Sequence, residues 1–151
     1  MLGRYAAGMT AVILLILLPV KYRAFSLASK EENMVISALD NAFMEIGING
    51  EITPEIIEKL ISGISGSGIS YDIEIEIGIL LTGKNEKVLT VLYSEDVLRE
   101  LEVSGRINVK KCLVTLRAKA INSGTGEKLA NMFWTSRIRE ETLVRGGYVY
   151  G

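Results

Sequence analysis

The chain has 151 residues, 48% of them hydrophobic, and a formal charge of −1; this allows one domain plus a short appendage and offers no basic face for nucleic acid. It contains no histidine and a single cysteine, Cys112, which excludes an intrachain disulfide, a cysteine cluster for metal and the commonest general base. The sequence is therefore read as that of a non-enzyme, with no cofactor, metal or small-molecule substrate.

From Tyr5 to Val20 the chain reads YAAGMTAVILLILLPV, without a charge. As a helix rising ~1.5 Å per residue the run spans roughly 24 Å, slightly short of a ~30 Å hydrocarbon core. Tyr5 and Tyr22 bracket it, and Arg4, Lys21 and Arg23 stand beside them. Interfacial rings and snorkelling cations recover the missing length. A transmembrane anchor is predicted over residues 1–23, with Tyr5, Lys21, Tyr22 and Arg23 at the membrane interface and lipid as its first partner. Gly3, Ala7 and Ala11 recur every fourth residue, a small stripe that lets another helix approach closely, although Gly and Ala are common in membrane helices in any case. Pro19 is expected to kink or loosen the outer end.

Two other readings compete for this segment. A cleaved secretory signal would take Arg4 as its basic start and Ser26-Leu27-Ala28 as its cleavage site, but Lys21, Tyr22, Arg23 and Phe25 in between fit it poorly. A buried helix of a soluble domain conflicts with ILLILL, which is apolar on every face. For orientation, Lys21, Arg23 and Lys30 outnumber Arg4 and the amino terminus, which by the positive-inside tendency puts the domain in the cytoplasm.

Residues 24–151 are expected to form a single α+β domain whose first helix, 24–47, continues from the anchor. Phe25, Ala28, Val35, Ile36, Leu39, Ala42, Phe43 and Ile46 recur at spacings mostly of three and four, while Lys30, Glu31, Glu32, Asn33, Asp40 and Glu45 fall mostly off that stripe. Gly47 is expected to stop the helix. Thr53-Pro54 starts a second helix that should end near Ser62-Gly63, followed by a turn over Ser62–Gly68. Tyr71, Ile73, Ile75, Ile77 and Ile79 alternate with Asp72, Glu74, Glu76 and Gly78, the period of a strand with one wet, acidic face. That carboxylate row is read as a solvated face in preference to a cation site.

Gly83–Glu86 is a polar turn into a partner strand, Lys87–Tyr93, after which Ser94 is expected to cap a helix over Glu95–Glu102. Ile107–Ile121 is the longest strand candidate, and its alternation makes Cys112 a small buried hydrophobe. After the turn Asn122–Gly126, a short helix is expected over Glu127–Trp134. GTGEK lacks the spacing and hydroxyl of a phosphate loop. Arg137–Arg145 should return as a last strand or arm. The end GGYVYG, with Gly146, Gly147, Tyr148, Val149 and Tyr150, is either a last edge segment on the sheet or a strand offered to a partner.

In sequence, a hydrophobic start, a long helix ending in ALDNAFMEIGINGEITPE, then SGISYDIEIEI, YSEDVLREL, RINVKKCLVTLRAKAINSGTGEKLANMFW and RGGYVYG resemble the TadE-like pseudopilins, small membrane proteins of Tad-type or conjugation-associated pilus clusters of Gram-positive bacteria. The resemblance covers most of the chain as a pattern of turns and alternation. It implies a pilin-like fold: a long, partly membrane-embedded helix packed on a small antiparallel sheet. It also implies an extracytoplasmic domain and other pilin-like or secretion-apparatus membrane subunits as partners. Gly3 and Gly8 are the only glycines near the start and no acid precedes Glu31, unlike most prepilins, which points to a minor or priming subunit. The alternative is a membrane-tethered binding or sensor module that works through the sheet edge or the C-terminal aromatics. On that view deleting Gly146–Gly151 should abolish partner capture and leave the fold intact.

Overall fold

The computed structural model describes residues 2–82, 87–126, 128–129 and 142–150. One helix, α1, runs from Leu2 to Asn49 and passes through Pro19 without a break. Its 48 residues extend about 72 Å at the usual helical rise. Such a length needs support, and among the described residues its buried positions begin at Ala24 and are densest in the C-terminal half, where Val35, Leu39, Ala42 and Ile46 are spaced four, three and four apart.

The helix passes its predicted stop. Gly47 stays helical, and the left-handed turn falls at Gly50 (φ 67°), whose N–H donates to the Ile46 carbonyl at 2.8 Å. Glycine inside a helix costs only about 1 kcal/mol, so the residue that ends the helix is the one whose positive φ the turn requires.

A short strand, β1 (Glu51–Ile52), leads to α2 (Pro54–Ser65). Thr53 is extended at the N-cap with Pro54 following, as the sequence predicts, although the Thr53 side chain makes no capping bond. The helix continues beyond Ser62-Gly63 because Gly63 is a contact point with α1: a Cβ there would lie 2.9 Å from that of Ala38.

Next come β2 (Tyr71–Thr82), β3 (Lys87–Leu92), α3 (Ser94–Ser104), β4 (Ile107–Asn108), β5 (Cys112–Ala120) and β6 (Thr142–Tyr148). Four strands form an antiparallel sheet in the order β3-β2-β5-β6, with Ile77 of β2 opposite both Leu92 and Val114. β1 and β4 pair separately. Ile75 and Ile77 of β2 and Cys112, Val114, Leu116 and Ala118 of β5 turn one face into the core, against α1 and the α2 residues Ile56, Leu60 and Ile64. Val97 and Leu101 of α3 join the same core. The fold is α+β, as expected. Burial pushes the Cys112 thiol above its usual pKa, as suits a small packing residue.

Two local expectations are corrected. Ser94 does not cap α3; Tyr93 holds the N-cap position. The Ser94 hydroxyl accepts the Ile75 N–H at 2.7 Å, beside β2 just beyond the point where β3 stops pairing. A side chain thus satisfies a backbone donor that lacks a partner strand. The long strand over Ile107–Ile121 is two strands, because Lys111 adopts φ 63° and the Cys112 N–H closes a turn onto the Val109 carbonyl at 3.0 Å. The turn predicted at Gly83–Glu86, most of the helix predicted over Glu127–Trp134 and the arm before Thr142 lie outside the described residues.

Candidate functional site

The N-terminal half of α1 is where this sequence departs from a self-sufficient domain. Its most apolar 18-residue stretch is 6% buried, and the helix is long and apolar enough to cross a membrane. Met9, Val12, Ile13, Leu14, Leu15, Ile16 and Leu18 are all exposed, Leu15 at 72%. A soluble monomer rarely leaves so continuous an apolar surface uncovered. The hydroxyl within the run is also accommodated: Thr10 donates to the Ala6 carbonyl at 2.8 Å, so no polar hydrogen from it faces an apolar medium.

Gly3, Ala7 and Ala11 are exposed along the helix, and a Cβ at Gly3 would meet nothing within 4 Å. Tyr5 and Tyr22, 77% and 74% exposed, stand at the two ends of the apolar run, and Lys21 and Arg23 project beside Tyr22.

Where α1 reaches the domain, the predicted apolar stripe needs two corrections. Phe25 is 74% exposed, and Ala24 takes the inward position. Glu31, placed off the stripe by the sequence reading, is only 5% exposed. Its carboxylate accepts the N–H groups of Thr125 (3.1 Å) and Gly126 (3.4 Å), where the backbone turns helical. Gly126 lies so close to α1 that a Cβ would sit 2.7 Å from the Ala24 carbonyl oxygen and 2.9 Å from the Ala28 Cα. The segment after β5 is therefore clasped to α1 just beyond the apolar run. Positions 24, 31, 35, 39, 42 and 46 share one helical face, so a glutamate on that face was the signal available in the sequence.

The C-terminal residues belong to the sheet. Gly146, Gly147 and Tyr148 lie in β6 opposite Thr115, Val114 and Leu113. A Cβ on Gly147 would come within 3.0 Å of the Phe43 ring, so the glycine lets α1 lie against this strand. Arg145 pairs with Asp40 and so ties β6 to α1. Val149, 2% exposed, donates to the Cys112 carbonyl and accepts from the Lys111 N–H. Deleting Gly146–Gly151 would thus remove sheet and core together, and would not leave the fold intact. Tyr148 and Tyr150 remain outside, ring edge to face at 5.0 Å.

On the acidic face, Arg117 reaches Glu76 at 3.1 Å and Glu74 at 3.8 Å, so the carboxylate row is partly neutralised from the neighbouring strand. Among the described residues no group of His, Cys, Asp or Glu side chains is arranged to hold a metal ion. No protein-family model matches the chain, and neither the curated proteins nor the solved structures contain a significant match to it.

Proposed function

We propose that the protein is a structural component of a membrane-anchored pilus or secretion apparatus, a minor pseudopilin-like subunit. Its α1 start is embedded in the cell membrane as a single pass, and its domain stands on the extracytoplasmic side. The observation that carries this reading is the continuity of α1: one 48-residue helix with no buried side chain before Ala24 among the described residues, and with Val35, Leu39, Ala42 and Ile46 built into the core. A helix of this kind couples the position of the domain rigidly to lateral contacts made in the bilayer. The resemblance to TadE-like proteins agrees with it and supplies the sidedness. The positive charge at Lys21, Arg23 and Lys30 runs against the positive-inside tendency, which biases insertion without dictating it.

Lateral packing in lipid rests on close backbone approach, which the Gly3, Ala7 and Ala11 stripe permits. Above it, an open groove beside α2 is lined by the short side chains Ser26, Ser29, Asn33, Ser37 and Asn41 of α1, together with the longer Tyr22, Phe25, Lys30 and Met34, along which a second helix could follow the same side. Single cysteines at Gly3, Ala7 and Ala11 are expected to trap oligomers on oxidation in membranes. Cysteines at Met9 and Ile13, on the opposite side at ~100° per residue, should give few. A strictly monomeric pattern, or trapping regardless of side, contradicts the proposal.

A further inference from the structure

At the foot of the domain a hollow of about 470 Å³ is lined by Val20, Ala24, Leu27 and Leu129, with Arg23 and Lys30 in its walls. The clasp of Thr125 and Gly126 on Glu31 brings Leu129 to this place, so the hollow exists only in the folded domain. The apolar part continues directly from the end of the hydrophobic run. At ~1.5 Å per residue Arg23 sits roughly 4.5 Å above Val20 along the axis, within the ~5–8 Å polar layer of a bilayer leaflet. Lys30 stands roughly 15 Å above Val20, and its long side chain is of the kind that reaches down toward that layer.

Among the described residues that line the hollow, the charged ones are both cations. Arg23 and Lys30 are exposed, and neither is paired with an acidic side chain among the described residues. No aspartate or glutamate precedes Glu31, and Glu31 is buried and occupied by two backbone N–H groups. An apolar cleft that opens at the headgroup layer between an arginine fork and a lysine is complementary to one kind of molecule: an anionic phospholipid.

We propose that this hollow binds an anionic phospholipid, with its glycerol and upper acyl chain against Val20, Ala24, Leu27 and Leu129 and its phosphate on Arg23 and Lys30. The inference rests on the membrane-anchored reading of α1 and adds a lipid preference to it. It also gives the cations at the domain end a role that positive-inside counting does not.

The test uses the full chain in mild detergent, titrated with phosphatidylglycerol or phosphatidylcholine of the same acyl composition and followed by native mass spectrometry. One phosphatidylglycerol should be retained per chain, in preference to phosphatidylcholine. Arg23→Gln and Lys30→Gln should each cost about fivefold of that preference, and the double variant should approach parity. Leu27→Trp, filling the hollow from a half-buried position, should reduce retention of both lipids. Parity in the wild type, or an undiminished preference in the double variant, overturns the proposal. Alkaline extraction of the same protein from vesicles separates the two levels. A chain that stays in the membrane without preferring the anionic lipid refutes the lipid site alone, whereas a chain that is extracted refutes the anchor and the lipid site together.

Discussion

Leu14→Arg with Leu15→Arg is expected to move the protein from the membrane fraction to the soluble fraction while leaving the domain folded. Both leucines lie in the middle of the apolar run, exposed and out of contact with the core. An arginine at the centre of a membrane helix costs about 3 kcal/mol on insertion scales, so the pair costs about 6 kcal/mol and reduces insertion by about four orders of magnitude. The measurement is alkaline extraction after cell-free synthesis in the presence of phospholipid vesicles, with circular dichroism of the released chain. The wild type and a Leu14→Ile, Leu15→Ile control should pellet with the vesicles. The double arginine variant should be released with the thermal transition of its domain unchanged. A soluble helix that leaned on another part of the protein would respond the other way, losing stability without changing fraction.

The second large effect is expected at the clasp. Gly126→Val places a branched side chain where a Cβ alone would come within 2.9 Å of α1 backbone atoms, which cannot turn aside as a side-chain end can. Forcing that contact apart should cost about 3 kcal/mol and lower the melting temperature by about 10 °C. Glu31→Ala tests the same junction from the other side. It leaves two backbone donors without their acceptor, one of them buried, at a cost of about 2 kcal/mol, whereas Glu31→Gln retains one acceptor oxygen and should cost less. Thermal unfolding of the full chain in micelles reads all three. If Gly126→Val melts with the wild type, residues 124–129 are not held on α1, and the lipid hollow loses its Leu129 wall.

Much of the architecture is legible in the sequence because it follows from periodicity. Tyr71 to Ile79 alternates strictly and forms a strand, Val35 to Ile46 follows a helical period and is buried, and Thr53-Pro54 opens α2. The misreadings share another cause: the residues involved take their places from tertiary contacts. Gly47 reads as the helix stop in the sequence, but Gly50, with its positive φ, makes it. Gly63 signals a break but serves as a contact with Ala38. Ser94 has the composition of a helix cap, yet it completes the edge of β2, which depends on where β3 stops. Phe25 falls on the apolar stripe by spacing, but the place against Gly126 admits only the small Ala24, and Phe25 is left exposed.

The candidate site divides along the same line. The stripe of Gly3, Ala7 and Ala11 and the bracketing Tyr5, Lys21, Tyr22 and Arg23 can be picked out from spacing alone, and all of them are exposed on α1. The buried role of Glu31 depends on residues more than ninety positions away, and no local pattern announces it. The terminal glycines and aromatics leave two readings open, an edge segment on the sheet or a strand offered to a partner; β6 pairs with β5, Val149 lies in the core and Gly147 lies beneath Phe43, as the first requires.

Whether the apolar run of α1 lies in lipid, with the remainder above it, can be read by labelling single cysteines in membrane vesicles with a polar maleimide, in a Cys112→Ala background. Cysteines at Val12 and Leu15 should stay unlabelled, while those at Met44 and Ile48, exposed on the same helix beyond the membrane, should react fully from the side the domain occupies. Labelling of Val12→Cys at the rate of Met44→Cys would show the apolar run in water and contradict the account.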